Sequence, residues 1–291
     1  MWSDPLPEWY AARGRHQLPW RLTTDPWAVL VSEVMLQQTA VSRVLLRWER
    51  FTRRWPDPSA CASASLEDVL REWHGLGYPR RARALWLTAA RVAVEGWPAT
   101  ETGLHGLPGI GTYTARALLA FSDLGAAAEN PPPAPPVDVN LGRVAARAVL
   151  GRDPGGTTRR ELDSVLAAGR PPHMTMREYA YALFDVGALH CRALPRCDGC
   201  ALQGGCRFGP AAASTAAQHR RQPRYQGSLR QLRGAILTAS LADAAHTSSS
   251  LREAVAATPG VTTERVEQAL SSLIADGLVA PVNNGERRSL H

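Results

Sequence analysis

The chain of 291 residues contains no lysine; all 33 of its basic side chains are arginine. No side-chain amine is present to form a Schiff base, which excludes covalent catalysis through a lysine imine. Long apolar runs are missing as well. No stretch reaches the ~18 residues of a membrane span, and the N-terminus lacks a basic-then-apolar leader, so a soluble cytoplasmic protein with no membrane association is expected. Alternating strand patterns of any length are absent before residue 270, so the fold is expected to be all-α. Acidic residues are absent from Gly199 to Ala242, a span that carries six arginines. Cysteine is scarce: there are five, of which Cys191, Cys197, Cys200 and Cys206 crowd into sixteen residues.

What remains is basic and helical in pattern. The formal charge of +7 and isoelectric point near 9.6 favour a polyanionic partner. Four neighbouring cysteines without a secretory leader point to a metal or iron–sulfur site rather than a disulfide framework; on residue type alone zinc and iron–sulfur both stay open. Cys61, alone among Ala and Ser, reads as a small buried hydrophobe.

Leu107-Pro108-Gly109-Ile110-Gly111-Thr112-Tyr113 reads as a tight hairpin between two helices. Gly109 and Gly111 allow a sharp turn and close backbone approach to a ligand. Thr112 suits the N-cap of a helix running to Phe121, and the unpaired amides of such an N-terminus bind phosphate. A helix C-cap followed by an unrelated helix start would spell the same letters. Further helices are expected over 26–39, 40–55, 66–73, 82–95, about 143–150, 159–168 and 176–190. A Pro-rich connector occupies 126–136 and an Arg-rich linker 211–228. Beyond it, helices at 231–241, 250–257 and 263–275 and a turn at 283–285 spell a winged-helix-like module over 229–291, an irregular helical tail being the alternative.

Two carboxylates stand among residues that would bury them: Glu33 in an apolar helix and Asp138 just after the proline connector. Burial disfavours charge, so Glu33 keeps its proton near neutral pH unless a cation compensates. A protonated acid beside an ionised carboxylate is the pair that cleaves a glycosidic bond, one protonating the leaving group and the other stabilising the cationic sugar. A helix cap or an ion pair would equally account for either residue alone.

Leu18-Pro19-Trp20-Arg21, Ser32-Glu33-Val34-Met35-Leu36-Gln37-Gln38-Thr39, Gly75-Leu76-Gly77-Tyr78, the hairpin and Val137-Asp138-Val139-Asn140 occur in this order. Together they resemble the MutY-type, A/G-specific adenine DNA glycosylases of the helix-hairpin-helix superfamily that includes endonuclease III. The resemblance covers residues 9 to about 210, and Gly77-Tyr78-Pro79-Arg80-Arg81-Ala82 is most like the actinobacterial branch. It implies a six-helix barrel domain over 22–136 with the hairpin at 104–121, an iron–sulfur cluster domain from 1–21 and 137–210, and a monomer acting on double-stranded DNA at 8-oxoguanine:A or G:A mispairs, nucleoid-associated in a bacterial cytoplasm.

By the same resemblance Glu33 is the general acid that protonates adenine at N7, Asp138 stabilises or attacks the sugar, and Asn140 supports it. Tyr113 stands where endonuclease III carries its nucleophilic lysine, which agrees with the absence of lysine. Gln37, Gln38, Leu76 and Tyr78, with the adjoining Thr39, match the wedge that fills the gap left by the flipped base, necessary because the reacting atoms are out of reach inside a stacked duplex. The Gly75–Tyr78 turn is expected to display its apolar and aromatic side chains. Arg21 and Asp185 match positions lining the adenine pocket. Cys191, Cys197, Cys200 and Cys206 match the ligands of a [4Fe-4S] cluster, although the family's gaps of six, two and five residues are here five, two and five. The Ser/His loop of the NUDIX-like domain that many relatives carry is not found, so weaker selectivity for 8-oxoguanine is expected. A glycosylase for thymine or uracil opposite guanine and a non-catalytic DNA-binding module are the rival readings.

Overall fold

The computed structural model describes residues 1–127, 135–209, 225–243, 247–256, 261–280, 282–283 and 286–287. The expected Pro-rich connector and Arg-rich linker fall largely outside them. The described residues are helical. Helix α1 (Leu6–Arg13) and a 3-10 turn at Pro19–Arg21 precede α2 (Pro26–Leu36), α3 (Val41–Arg54), α4 (Pro58–Ala62), α5 (Leu66–Trp73) and α6 (Pro79–Glu95). Helices α7 (Glu101–His105) and α8 (Thr112–Phe121) frame the hairpin. Helix α9 (Val139–Ala145) runs directly into a π-turn at Ala146–Leu150, and α10 (Arg159–Ala168) and α11 (Met176–Leu189) lead to the cysteines. Helices α12 (Leu229–Ala242), α13 (Ser248–Ala256) and α14 (Thr263–Ala275) are followed by a two-residue antiparallel pair, β1 (Val282–Asn283) with β2 (Glu286–Arg287).

Local chemistry sets most of these boundaries. Ser65, Asp57 and Thr100 cap α5, α4 and α7 by accepting backbone amides. Thr158 with Glu161 and Thr175 with Glu178 form full capping boxes on α10 and α11, each cap contributing about 1 kcal/mol. Thr112 is not the cap of α8: extended Gly111 takes that position and Thr112 is the first helical residue. Helix α6 starts at Pro79, three residues earlier than expected, because proline's fixed φ and missing amide suit a first turn. The short α4 had no periodic signal to announce it.

The chain divides into two units. The first comprises Met1–Val34 with Trp97–His219. At its centre, α11 packs against α1, α8 and α9, burying Tyr179, Leu183 and Val186 with Leu6, Leu118, Phe121 and Leu141. The second unit comprises Met35–Gly96 with Arg220–His291. In α3, Val44, Trp48 and Phe51 at helical spacing form the buried face. Phe51 meets Trp55 and Trp73 edge-on at 4.7 and 6.3 Å. Cys61 is fully buried where α4 packs on α6, and burial pushes its thiol up to about 12. Helices α12, α13 and α14 share a core of Leu232, Ile236, Leu251, Val255, Val266 and Leu270. Arg71 donates to the Leu241 carbonyl at 3.2 Å, and Arg80 pairs with Asp276 at 3.3 Å.

Candidate active site

Helix α2 is apolar on every side, with Trp27, Val29, Leu30, Val31 and Met35 at most 1% exposed, as suits a helix buried all round. Glu33 lies near its end and is itself buried. Desolvation pushes its carboxyl up to about 7; a hydrogen bond from Tyr113 and the charge of Arg21 oppose the rise, and the charge of Asp138 adds to it. Tyr113, in the first turn of α8, is held neutral by burial and by the two nearby acids, so its hydroxyl donates to Glu33.

Asp138 is the N-cap of α9: its Oδ1 accepts the Leu141 amide at 2.7 Å and its Oδ2 the Asn140 side-chain amide at 2.9 Å. The cap and the partner of Glu33 are one residue. Burial raises the Asp138 carboxyl, while the donors from Leu141 and Asn140 and the charge of Arg143 work the other way. The asymmetry between the acids therefore lies in their donors, several on Asp138 and one on Glu33.

Asn140 is fixed in turn. Its Oδ1 accepts from Arg143 at 2.7 Å, and Arg143 also donates to the carbonyls of Gly187 and Cys191. Gly187 is needed here because a Cβ would come within 2.8 Å of the Asn140 Cβ. Arg143 and Arg147, four residues apart just after Asp138, were visible as a helical pair, but nothing in their spacing showed what they would hold.

Asp185 is the second buried acid of this unit, with no exposed surface. Arg21 meets it with a two-pronged pair at 2.8 and 3.0 Å, and Arg15 adds its backbone amide at 2.9 Å and its side chain at 2.5 Å. Burial alone would raise this carboxyl; the arginines overcome it and hold it below its ordinary value. Arg21 also lies 4.3 Å over the ring of Tyr181, which stacks on Phe121. Arg21 and Tyr181 line a cavity of about 490 Å³ together with Tyr10, His16, Arg177 and Glu178. The buried Arg21 Nε has no partner among the described residues. Asp185 is not among the lining side chains. Tyr181 and Arg15 carried no sequence signal.

In the hairpin Gly109 is left-handed at φ 75°, whereas Gly111 is extended. A Cβ on Gly111 would meet nothing within 4 Å, so its face of the hairpin is open. Leu107 and Ile110 are buried beneath the turn.

The expected wedge residues lie in the second unit. Gln38 is exposed and left-handed at φ 56°, and Tyr78, 41% exposed, is left-handed at φ 50°. For side chains other than glycine such backbone costs roughly 1–3 kcal/mol each. Gln37 and Thr39 are half-buried. Leu76 is not on display: it is 3% exposed, drawn into the core beneath its own turn.

The four cysteines are half-buried. Burial raises the Cys200 thiol, and the charges of Cys191, Cys206 and Cys197 raise it further, so the four are electrostatic neighbours. Arg147, almost fully buried, donates to Cys191 Sγ at 3.8 Å and to the carbonyls of Arg192 and Ala193 at 2.5 and 3.1 Å. Four thiols beside two guanidinium groups suit an iron–sulfur cluster chemically. Among the described residues, no three His, Cys, Asp or Glu side chains converge as a single metal ion requires.

The buried acid, the hairpin tyrosine and the capped aspartate all lie within a stretch that matches a class of base excision DNA repair proteins. Residues 31–167 match the HhH-GPD superfamily of base excision DNA repair proteins. Similar solved structures include a thermostable thymine-DNA glycosylase (TM-score 0.61, 24% identity, 70% of this chain and 93% of that one) and an endonuclease III–DNA complex (TM-score 0.56, 22% identity, 70% and 91%), which share the fold. The adenine DNA glycosylase of Mycolicibacterium smegmatis is 39% identical over 96% of this chain and 93% of its own length. That of Mycobacterium tuberculosis is 39% identical over 95% and 90%, and the human one is 36% identical over 69% and 38%. The chain belongs to the adenine DNA glycosylase family.

Proposed function

We propose that this protein is a monofunctional DNA glycosylase that excises adenine mispaired with 8-oxoguanine or guanine. The observation that carries the reading is Glu33: a buried acid, pushed up to about 7, hydrogen-bonded by Tyr113 and feeling the charge of Asp138. The adenine is flipped out of the duplex before it reacts. Protonated Glu33 gives its proton to the base, and the electron pair of the N-glycosidic bond leaves with adenine. Asp138, ionised and held by Leu141 and Asn140, stabilises the positive charge on the sugar until water adds at C1′ and yields its proton to a carboxylate. The buried, unpartnered Arg21 Nε suits an acceptor atom on the base. With tyrosine at 113 and no lysine in the chain, the reaction ends at the abasic site.

Gly109, Gly111 and the N-terminus of α8 serve as phosphate anchor, and Gln37, Gln38, Thr39 and Tyr78 as the intercalating region, with Leu76 packed beneath its turn. Cys191, Cys197, Cys200 and Cys206 hold a [4Fe-4S] cluster, which when bound ties the cysteine loop to the fold; four iron and four sulfide per chain are expected on analysis. Residues 229–291 act as a winged-helix-like module. No helix among the described residues is long and apolar enough to cross a membrane; the protein acts as a monomer at the nucleoid in the cytoplasm.

Incubation with 8-oxoguanine:A, G:A, G:T and G:U duplexes, followed by alkali, tests the reading. Adenine release with strand scission only after alkali is expected. Release of thymine or uracil instead, scission before alkali, or salt-sensitive binding without turnover would each overturn it.

A further inference from the structure

The two exposed, left-handed residues of the second unit are held by one guanidinium. Arg81 donates through Nη1 to the carbonyl of Gln37 at 2.5 Å, and through Nη2 to those of Leu76 and Gly77 at 3.2 Å each. Its guanidinium lies 5.0 Å from the Tyr78 ring centre and 5.7 Å from that of Trp73. The same turns are joined less directly by Thr39, whose hydroxyl reaches the Leu76 carbonyl at 3.4 Å, and the 76–78 turn is braced from within by the Trp73 indole, which donates to Gly77 at 3.0 Å. These hydrogen bonds go to main-chain carbonyls, and Gln38 and Tyr78 are themselves exposed.

The clamp opposes a local preference. Gln38 and Tyr78 both sit where L-residues rarely settle. Tyr78 also precedes Pro79, which favours extended backbone at that position. Left alone, either turn would relax and its exposed side chain would swing away. A planar fork spans two turns at once; a lysine ammonium is a point charge without that reach. Half-burial costs Arg81 solvation and lowers its own pKa, a further sign that the group is placed for its contacts.

We infer that Arg81 is a positioning residue for base flipping, locking the 37–39 turn to the 76–78 turn so that Gln38 and Tyr78 enter the duplex as one rigid wedge. This rests on the reading that these two turns fill the gap left by the flipped adenine. The clamp acts before the chemistry, and its loss slows flipping without touching Glu33 or Asp138.

The test uses the full-length protein and the variants Arg81→Lys and Arg81→Gln, with Gln38→Ala/Tyr78→Ala as the direct wedge control. Flipping is read from the fluorescence of 2-aminopurine, an adenine analogue, placed opposite guanine. Single-turnover excision is compared on adenine opposite guanine and on adenine opposite an abasic site, where no partner base has to be held. Both Arg81 variants are expected to lose about tenfold in flipping and in G:A excision, while excision opposite the abasic site stays within about threefold. Equal losses on both substrates, or unfolding of both variants in a melting experiment, would make Arg81 an ordinary structural residue and overturn the inference. Normal flipping in the Arg81 variants alongside impaired flipping in the wedge control would overturn the clamp alone. Normal flipping in the wedge control would instead overturn the wedge reading beneath it.

Discussion

Glu33 and Asp185 are both buried carboxylates on helices of the same unit, and they are treated in opposite ways. Asp185 receives two guanidinium groups and a backbone amide and is held ionised. Glu33 receives one tyrosine hydroxyl and is left poised near neutrality. Arg21 acts on both acids, but its geometry is spent on Asp185. Burial thus makes a carboxylate expensive; the donors around it decide whether it becomes a structural anion or an acid with a proton to give.

The sharpest way to break this contrast is to exchange the two outcomes. Glu33→Gln is expected to lower single-turnover excision by about 10³-fold while mispair binding holds within a few-fold; a similar loss in a well-folded Asp185→Asn protein would erase the distinction. Asp185→Ala leaves Arg15 and Arg21 facing each other without their anion and is expected to cost about 3–4 kcal/mol in urea unfolding at pH 7. The pH dependence separates the acids by sign. Because the folded pKa of Glu33 is raised from about 4.5 to about 7, its contribution to stability is present below about pH 4.5 and is lost as pH rises through 7. Glu33→Gln should therefore stabilise the protein at pH 8 by at most about 3 kcal/mol, with the gain vanishing near pH 4. Asp185, with its folded value lowered, contributes above about pH 4 and loses that contribution as pH falls. Smallest of all, Tyr113→Phe removes a hydrogen bond to the charged form of Glu33, and the alkaline limb of the excision profile should move up by less than about one unit.

Much of this was legible in the chain, for physical reasons that differ by residue. The buried face of α3, the Ser65 cap and the apolar setting of Glu33 are local patterns, and a local pattern needs no tertiary knowledge to read. The pairing of Arg21 with Asp185 spans 164 positions and left no periodic trace. Leu76 looked like a displayed side chain because turns are usually exposed, yet its turn is held down by Arg81, Thr39 and Trp73. The displacement of Thr112 by Gly111 at the head of α8 shows the limit of residue preference: glycine offers no cap bond, but the hairpin delivers it already extended.

The anchored cysteine loop bears on how such chains change length through evolution. The carbonyls of Cys191, Arg192 and Ala193 are occupied by Arg143 and Arg147, and Arg196 exchanges hydrogen bonds with His190. Only Leu194 and Pro195 are left with slack, and Leu194 projects with 81% of its surface open. A residue lost or gained between the first two cysteines is absorbed there without disturbing either anchor. Drift in loop length can then proceed while the run of contacts from Cys191 through Arg143 and Asn140 to Asp138 is inherited intact.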